Sequence, residues 1–390
     1  MNKKLLAFLL AAPASAEIIY ATSYNDQAVT SLNLTGSSLS VILKKNDCGS
    51  EPTWLTLDSA KGVLYCLNEG WGGSSSITSY KTSAAGGLDT LKVLPILKSP
   101  VASTLFGPDN SKLAVAHYDT SSFGTFDVSD PKDIKLLKQT AYTLSAPGTV
   151  PERQDAPHLH DAILDPTKKF ILVPDLGSDL IRVYKVDASA ASAASDIGAI
   201  KAVPGSGPRH VAFAVAGEKT FLYSVNELSN TITGYTVTYK GDAIPEFTQT
   251  FTFSTHGPGG SVPAGTKSAE IEVSPDQKFV IVSSRGEGKL TIPSFDGGAA
   301  TIPSDPLISF SIDAETGALT HVQTAPAGGR NPRGFSLNKA GTLVVSALQD
   351  DNRVVVIERD VKTGLLGKIV AHATVGNGPN NGPNYALFSE

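Results

Sequence analysis

Residues 207–230 read GPRHVAFAVAGEKTFLYSVNELSN. After Gly-Pro, Val211, Phe213 and Val215 alternate with alanines, the period-2 pattern of a strand. A Gly-Glu-Lys turn leads into the apolar run FLYSV, a second strand. The charges sit where an apolar core would not place them. Arg209 and His210 open the first strand and Glu227 closes the second. Antiparallel pairing brings those two ends together.

The same layout recurs along the chain. EPTWLTLDSAKGVLYCLNE begins at Glu51, SPVASTLFGPDNSKLAVAHY at Ser99 and APHLHDAILDPTKKFILVPDLGSD at Ala156. KSAEIEVSPDQKFVIVSSRGEG begins at Lys267 and NPRGFSLNKAGTLVVSALQDDN at Asn331. Each continues into a third strand, such as LIRVYKVD, TITGYTVTY or RVVVIERD, and then a less regular fourth segment. The anchors Pro52, Pro100, Pro157, Pro208, Ser268 and Pro332 are spaced by 48, 57, 51, 60 and 64 residues. Four-strand repeats of this length mark a β-propeller.

The ends supply a seventh repeat. EIIYATSYNDQAVTSLNL, from Glu17, matches a second and third strand without a first. NGPNYALF, from Asn381, is a first strand without a second, and Pro383 lies 51 residues after Pro332. Joining the two closes the ring and removes open sheet edges. The expectation is an all-β, seven-bladed propeller with four-stranded blades, one domain over residues 17–390. Two β-sandwiches would have no reason to repeat one motif six times.

Composition agrees. Only 18% of the 390 residues are charged, and 36 Gly with 24 Pro supply many turns. No apolar run reaches membrane-spanning length. Residues 1–16 have the form of a secretory signal: Lys3 and Lys4, a short apolar segment, then Ala14-Ser15-Ala16. Secretion is expected, and losing the two lysines takes the formal charge from −5 to −7. Such a chain has no electrostatic basis for binding nucleic acid or an anionic membrane. Cys48 and Cys66 can pair across a short loop in an oxidising compartment or stand as free thiols. Asn33-Leu34-Thr35 is a glycosylation sequon in a secreted protein. The Ala/Ser-rich stretch 188–200 reads as a surface loop or a short helix.

In a propeller the first strand lines the central channel and the second runs antiparallel to it. First-strand starts and second-strand ends therefore share one mouth. The starts carry Trp54, His158, His160, Arg209, His210, Glu270 and Arg333. The ends carry Glu69, His117, Asp175, Glu227, Arg285 and Gln349. A cleft mixing imidazoles, carboxylates and guanidiniums suits proton transfer and anion binding. Asp175 also reads as a cap on its turn with Ser178, and His210, in register with Ala212, as a side chain between blades. Glu69 and Trp54 also read as rim-shaping residues, and Arg330 and Arg353 as surface charges. His158 and His160, two apart, should share one side of their strand. No Cys–His metal spacing, GxSxG, HExxH or phosphate loop occurs, and no cofactor is called for.

PHLH, VPDLGSD, GPRH, VNEL, SSRG and NPRG together resemble the seven-bladed lactonase family, across nearly the whole mature chain. That family includes propeller-type 6-phosphogluconolactonases and fungal 3-carboxy-cis,cis-muconate lactonizing enzymes. The resemblance implies a catalytic set of His160 or His158, Arg209, Glu227 and Arg285, with Arg333, Glu69, Asp175 and His210 around the substrate. It implies a small-molecule lactone or unsaturated carboxylate as ligand. Arginines would hold its anionic group, and His160 or Glu227 would move the proton, in cyclisation or in hydrolysis. A non-catalytic secreted propeller that binds a protein or glycan is the rival, and it would need a broad aromatic rim. Only Trp54 and Trp71 suggest one. A calcium-dependent lactonase or dehydrogenase would need carboxylates converging without arginine.

Overall fold

Valine-, isoleucine- and leucine-rich runs such as Val63–Asn68 and Phe170–Asp175 are buried along their whole length. Strands of this kind must be covered on both faces. A propeller does this by packing each sheet face to face with the next. A computed structural model describes residues 16–187, 189 and 191–390, so the expected secretory segment lies outside the described residues except for Ala16. Seven four-stranded antiparallel sheets carry the chain. Seven buried apolar clusters fill the gaps between neighbouring blades. For example, Phe170 and Leu172 of the fourth blade pack with Val211 and Leu222 of the fifth.

Inner strands are Pro52–Asp58, Pro100–Phe106, Ile163–Leu164, Pro208–Ala216, Lys267–Val273 and Pro332–Leu337 in blades two to seven. In the first blade the inner strand is the C-terminal Pro383–Phe388, paired antiparallel with Glu17–Ser23, and this closes the ring as the sequence suggests. Two details differ from expectation. Ala194–Lys201, within the Ala/Ser-rich stretch, is the outermost strand of blade four, pairing with Leu180–Val186. Its alternation of exposed and half-buried residues suits a sheet edge. An added hairpin, Leu290–Pro293 with Thr301–Ser304, projects from blade six. Among the described residues no helix is long and apolar enough to cross a membrane.

A β-bulge positions the site. Near its start every inner strand holds one residue more than the strand it pairs with. The extra residue is Thr53, Val101, Arg209, Arg333 and Asn384 in five blades. It falls at Ala269 or Glu270 in blade six, and between Leu159 and Ile163 in blade four. A bulge re-aims its side chain. The narrowest part of the channel is lined by one such residue from each blade: Thr53, Val101, His160, Arg209, Glu270, Arg333 and Asn384. Two glycines shape the same rim. Gly207 holds φ +61, and a Cβ there would meet the Leu228 side chain at 2.5 Å. A Cβ on Gly177 would lie 1.8 Å from the Ala156 carbonyl oxygen.

Cys48 and Cys66 form a disulfide, Cα–Cα 6.1 Å, tying the entry loop of blade two to its second strand. Closing a loop of 18 residues is worth about 3 kcal/mol in the chain-entropy model. Cys48→Ala/Cys66→Ala is therefore expected to melt roughly 4 °C lower, with activity retained, since neither sulfur lines the mouth. Calorimetry with and without reductant checks this.

Candidate active site

The mouth formed by first-strand starts and second-strand ends is a cup of about 250 Å³. At its centre Glu227, 3% exposed, meets three guanidiniums. Arg153 Nη2 donates to Oε1 at 2.7 Å, and Arg285 Nη2 donates to Oε2 at 2.9 Å. Arg209 Nε lies 3.1 Å from Oε2. Burial alone would raise the Glu227 carboxyl, but Arg285, Arg209 and Arg153 hold it well below the usual carboxylate range. Arg209, 2% exposed, is pushed down to about 9 by burial and by Arg285, so it stays charged at neutral pH.

Beside this cluster stands His160. Burial, then the guanidiniums of Arg209 and Arg333, push its imidazole well below the ordinary histidine value, so it is neutral. Its Nδ1 lies 3.3 Å from His210 Nε2, and its ring meets Tyr118 edge-on at 5.4 Å. Tyr118 also accepts a hydrogen bond from Arg153 at its hydroxyl, 3.2 Å. Across the cup Tyr24 donates to Glu69 Oε2 at 2.7 Å, and its ring meets Trp71 at a tilt, centroids 4.6 Å apart. Trp71 is 46% exposed at the rim. The Arg333 guanidinium lies 5.8 Å from the Tyr24 ring, and among the described residues it makes no ion pair, feeling Glu69 and Glu227 only at longer range. Lys267 lines the same cup, exposed and without an ion-pair partner among the described residues. Five cationic side chains thus face two carboxylates, and two of the five make no close ion pair.

The structure brings His160, Arg209, Glu227, Arg285, Arg333 and Glu69 to one cup or its floor. It places three expected residues elsewhere. His158 stacks flat behind Tyr118 at 4.2 Å, with Nε2 3.0 Å from Asp155, and does not line the cup. Both histidines meet the Tyr118 ring, His158 face to face and His160 edge-on, and only His160 lines the cup. Asp175 is fully buried and holds its turn. It accepts from His158 N and Ser178 N at Oδ1, and from Arg182 Nε and Nη2 at Oδ2, 2.9 and 2.6 Å. It cannot reach substrate. His210 points into the channel below the cup, not between blades, because the bulge at Arg209 breaks the alternation.

Tyr118 and Arg153 were not expected. The sequence placed His117 at the mouth, but His117 is the last paired residue of its strand and points inward to the Lys98 carbonyl, 3.1 Å. The position matching Glu69 and Glu227 is one residue later, Tyr118; a slip of one flips the side chain. Arg153 comes from the irregular segment before PHLH, which no repeat predicts. Gln349 occupies the expected strand end but bonds Asn381, outside the cup.

This cup, on the axis of a seven-bladed ring and lined by guanidiniums around a buried imidazole, is the candidate site. Residues 18–379 match the family model "Lactonase, 7-bladed beta-propeller", and the chain belongs to that family. It is 32% identical over 92% of its length, and 87% of the relative's, to a probable 6-phosphogluconolactonase of Arthroderma benhamiae. It is 31% identical to a 6-phosphogluconolactonase of Formosa agariphila over 66% of each chain. A periplasmic gluconolactonase of Pseudomonas aeruginosa shares the fold at a TM-score of 0.79 and 23% identity, over 96% of this chain and 99% of that one.

Proposed function

We propose that this protein hydrolyses the lactone ring of a sugar acid bearing a second, anionic group, with 6-phosphogluconolactone as the leading candidate. The observation that carries the reading is the excess of positive charge, five cations against the carboxylates of Glu69 and Glu227, in a cup whose imidazole is held neutral. Arg333 and Lys267 make no close ion pair among the described residues, so they are free to meet an anionic substrate. His160 takes a proton from the attacking water as the carbonyl carbon becomes tetrahedral. It returns that proton to the ring oxygen as the C–O bond breaks. Arg333, whose field reaches His160, stabilises the oxyanion. Lys267, with Arg153 and Arg285, holds the distal phosphate or carboxylate, and Trp71 offers a flat face to the sugar ring. Glu227 is unsuited to proton transfer; it organises the arginines. The named activities of the two curated relatives support the hydrolytic direction. A secretory leader would place this reaction outside the cytoplasm, in keeping with the Cys48–Cys66 disulfide.

The test compares 6-phosphogluconolactone, gluconolactone and 3-carboxymuconate with and without chelator. Hydrolysis of the phosphorylated lactone, insensitive to chelator, is expected. Lys267→Ala should raise KM for it by about tenfold and change that for gluconolactone less than about twofold, as for one charge-assisted contact. Arg333→Ala should lower kcat by roughly 100-fold, the loss typical of one oxyanion donor. Turnover confined to 3-carboxymuconate would assign cyclisation instead, and binding without turnover would assign a non-catalytic role.

A further inference from the structure

Below the cup the channel narrows to about 10 Å³, room for about one water, and opens on the opposite face into a well of about 350 Å³. Substrate cannot pass. Two groups at this narrowing do not line the cup yet lead to His160. His210 Nδ1 lies 2.7 Å from Glu270 Oε1, and His210 Nε2 lies 3.3 Å from His160 Nδ1. All three residues are at most 6% exposed. The second Glu270 oxygen is buried without a hydrogen-bond partner. Nothing in the lactonase reading requires this chain.

We infer that Glu270 and His210 are positioning residues that fix the tautomer of His160 along the channel axis. The inference rests on the hydrolytic reading above. The logic follows from donors and acceptors. An ionised carboxylate only accepts, so His210 Nδ1 must donate to Glu270. In its neutral form, which the proposed chain requires, His210 offers Nε2 only as an acceptor, so His160 Nδ1 donates to it. That leaves the lone pair of His160 on Nε2, which has no hydrogen-bond partner among the described residues. It is the nitrogen available to take a proton from water. When His160 becomes imidazolium, the Glu270 charge is felt through one intervening ring. No atom or electron is exchanged with a co-reactant; the chain only orients and polarises.

Charged and titratable groups surround all three members of the chain. His160 faces Arg209, Arg333, His210 and Tyr118. His210 faces Glu270, His160 and Asp161, with the Trp54 ring edge-on at 5.6 Å. Glu270 faces His210, Arg209, Asp161, Glu272 and Tyr385. Burial and the neighbouring carboxylates raise Asp161 and Glu272, Glu272 well above its ordinary value. The well is lined by these acids and by no lysine or arginine among its described residues. Of the three acids, only Glu270 has an imidazole at hydrogen-bond distance.

Histidine-labelled protein would be examined by 15N NMR of the side chains near pH 7.5, alongside kinetics of Glu270→Gln. The expected spectrum has both His160 and His210 protonated on Nδ1. Glu270→Gln should lower kcat 10- to 1,000-fold, leave KM within about threefold, and move the acid limb of kcat/KM to lower pH by about one unit, as expected when a buried neighbouring charge is lost. A merely structural role would leave that limb in place. A wild-type His160 protonated on Nε2, or a Glu270→Gln enzyme with an unchanged kcat and pH profile, overturns the inference. If the wild type opens no anionic lactone, the functional reading fails, while the tautomer spectrum still decides whether the chain exists.

Discussion

Glu227→Ala is expected to cost the fold about 3–5 kcal/mol and to lower kcat/KM by at least 100-fold, because it leaves buried guanidiniums without their counter-charge. Arg153, Arg209 and Arg285 converge on this one carboxylate, at 2.7, 3.1 and 2.9 Å. Arg209 is sealed from solvent and cannot relax into water. A chain of this size has an unfolding entropy that converts such a loss into a drop in melting temperature of about 5 °C. The pH dependence follows from the sign of the shift. The folded Glu227 carboxyl lies well below its unfolded value, so its stabilisation is complete above about pH 4.3 and is lost as pH falls through the folded value. The difference between wild type and Glu227→Ala should therefore shrink in acid. Urea unfolding at pH 7 and pH 3.5 measures both. Stability at pH 7 within 1 kcal/mol of wild type would show that the arginines do not depend on Glu227.

That cluster also shows what the chain discloses before it folds. Arg209, Glu227 and Arg285 could be read from the repeat because each sits at an equivalent point of its blade, the start of a first strand or the end of a second. Repeat spacing carries such positions faithfully. It does not carry a one-residue extension. The β-bulge in every inner strand has no marker in the residue pattern, since Pro-Arg-His and Pro-Thr-Trp alternate as well as an unbulged strand would. The bulge is what sends Arg209 and His210 both toward the axis. The second strands fail for a related reason. His117 and Asp175 close their strands as Arg285 does, yet the cup takes Tyr118, one residue further on, and nothing from Asp175. Arg153 was illegible for a different cause: its segment belongs to no repeat, and only tertiary packing brings it to Glu227. The Glu270–His210–His160 chain joins three blades, so no local pattern announces it.

His160→Gln should separate catalysis from stability. Glutamine can still donate to His210 Nε2 but cannot accept a proton from water, so kcat is expected to fall by roughly 1,000-fold, within the usual range for loss of a general base. KM should stay within about threefold, since the distal anion is held by other residues. The wild-type acid limb should lie below pH 6.5, because burial and the fields of Arg209 and Arg333 hold the imidazole below its ordinary value. The same shift acts on stability. A histidine with a lowered folded pKa takes its proton more readily when unfolded, so wild type loses stability as pH falls below about 6.5. Glutamine has no such proton to gain. The variant should therefore match wild type at pH 8 and unfold less readily than wild type at pH 5, while being nearly inactive at both. His158→Gln, whose imidazole lies behind Tyr118 against Asp155, should lose less than tenfold in kcat, because it touches no group that exchanges a proton with substrate. If the two substitutions reversed these effects, the base would be His158, and the ring of Tyr118 would have to move aside to admit it.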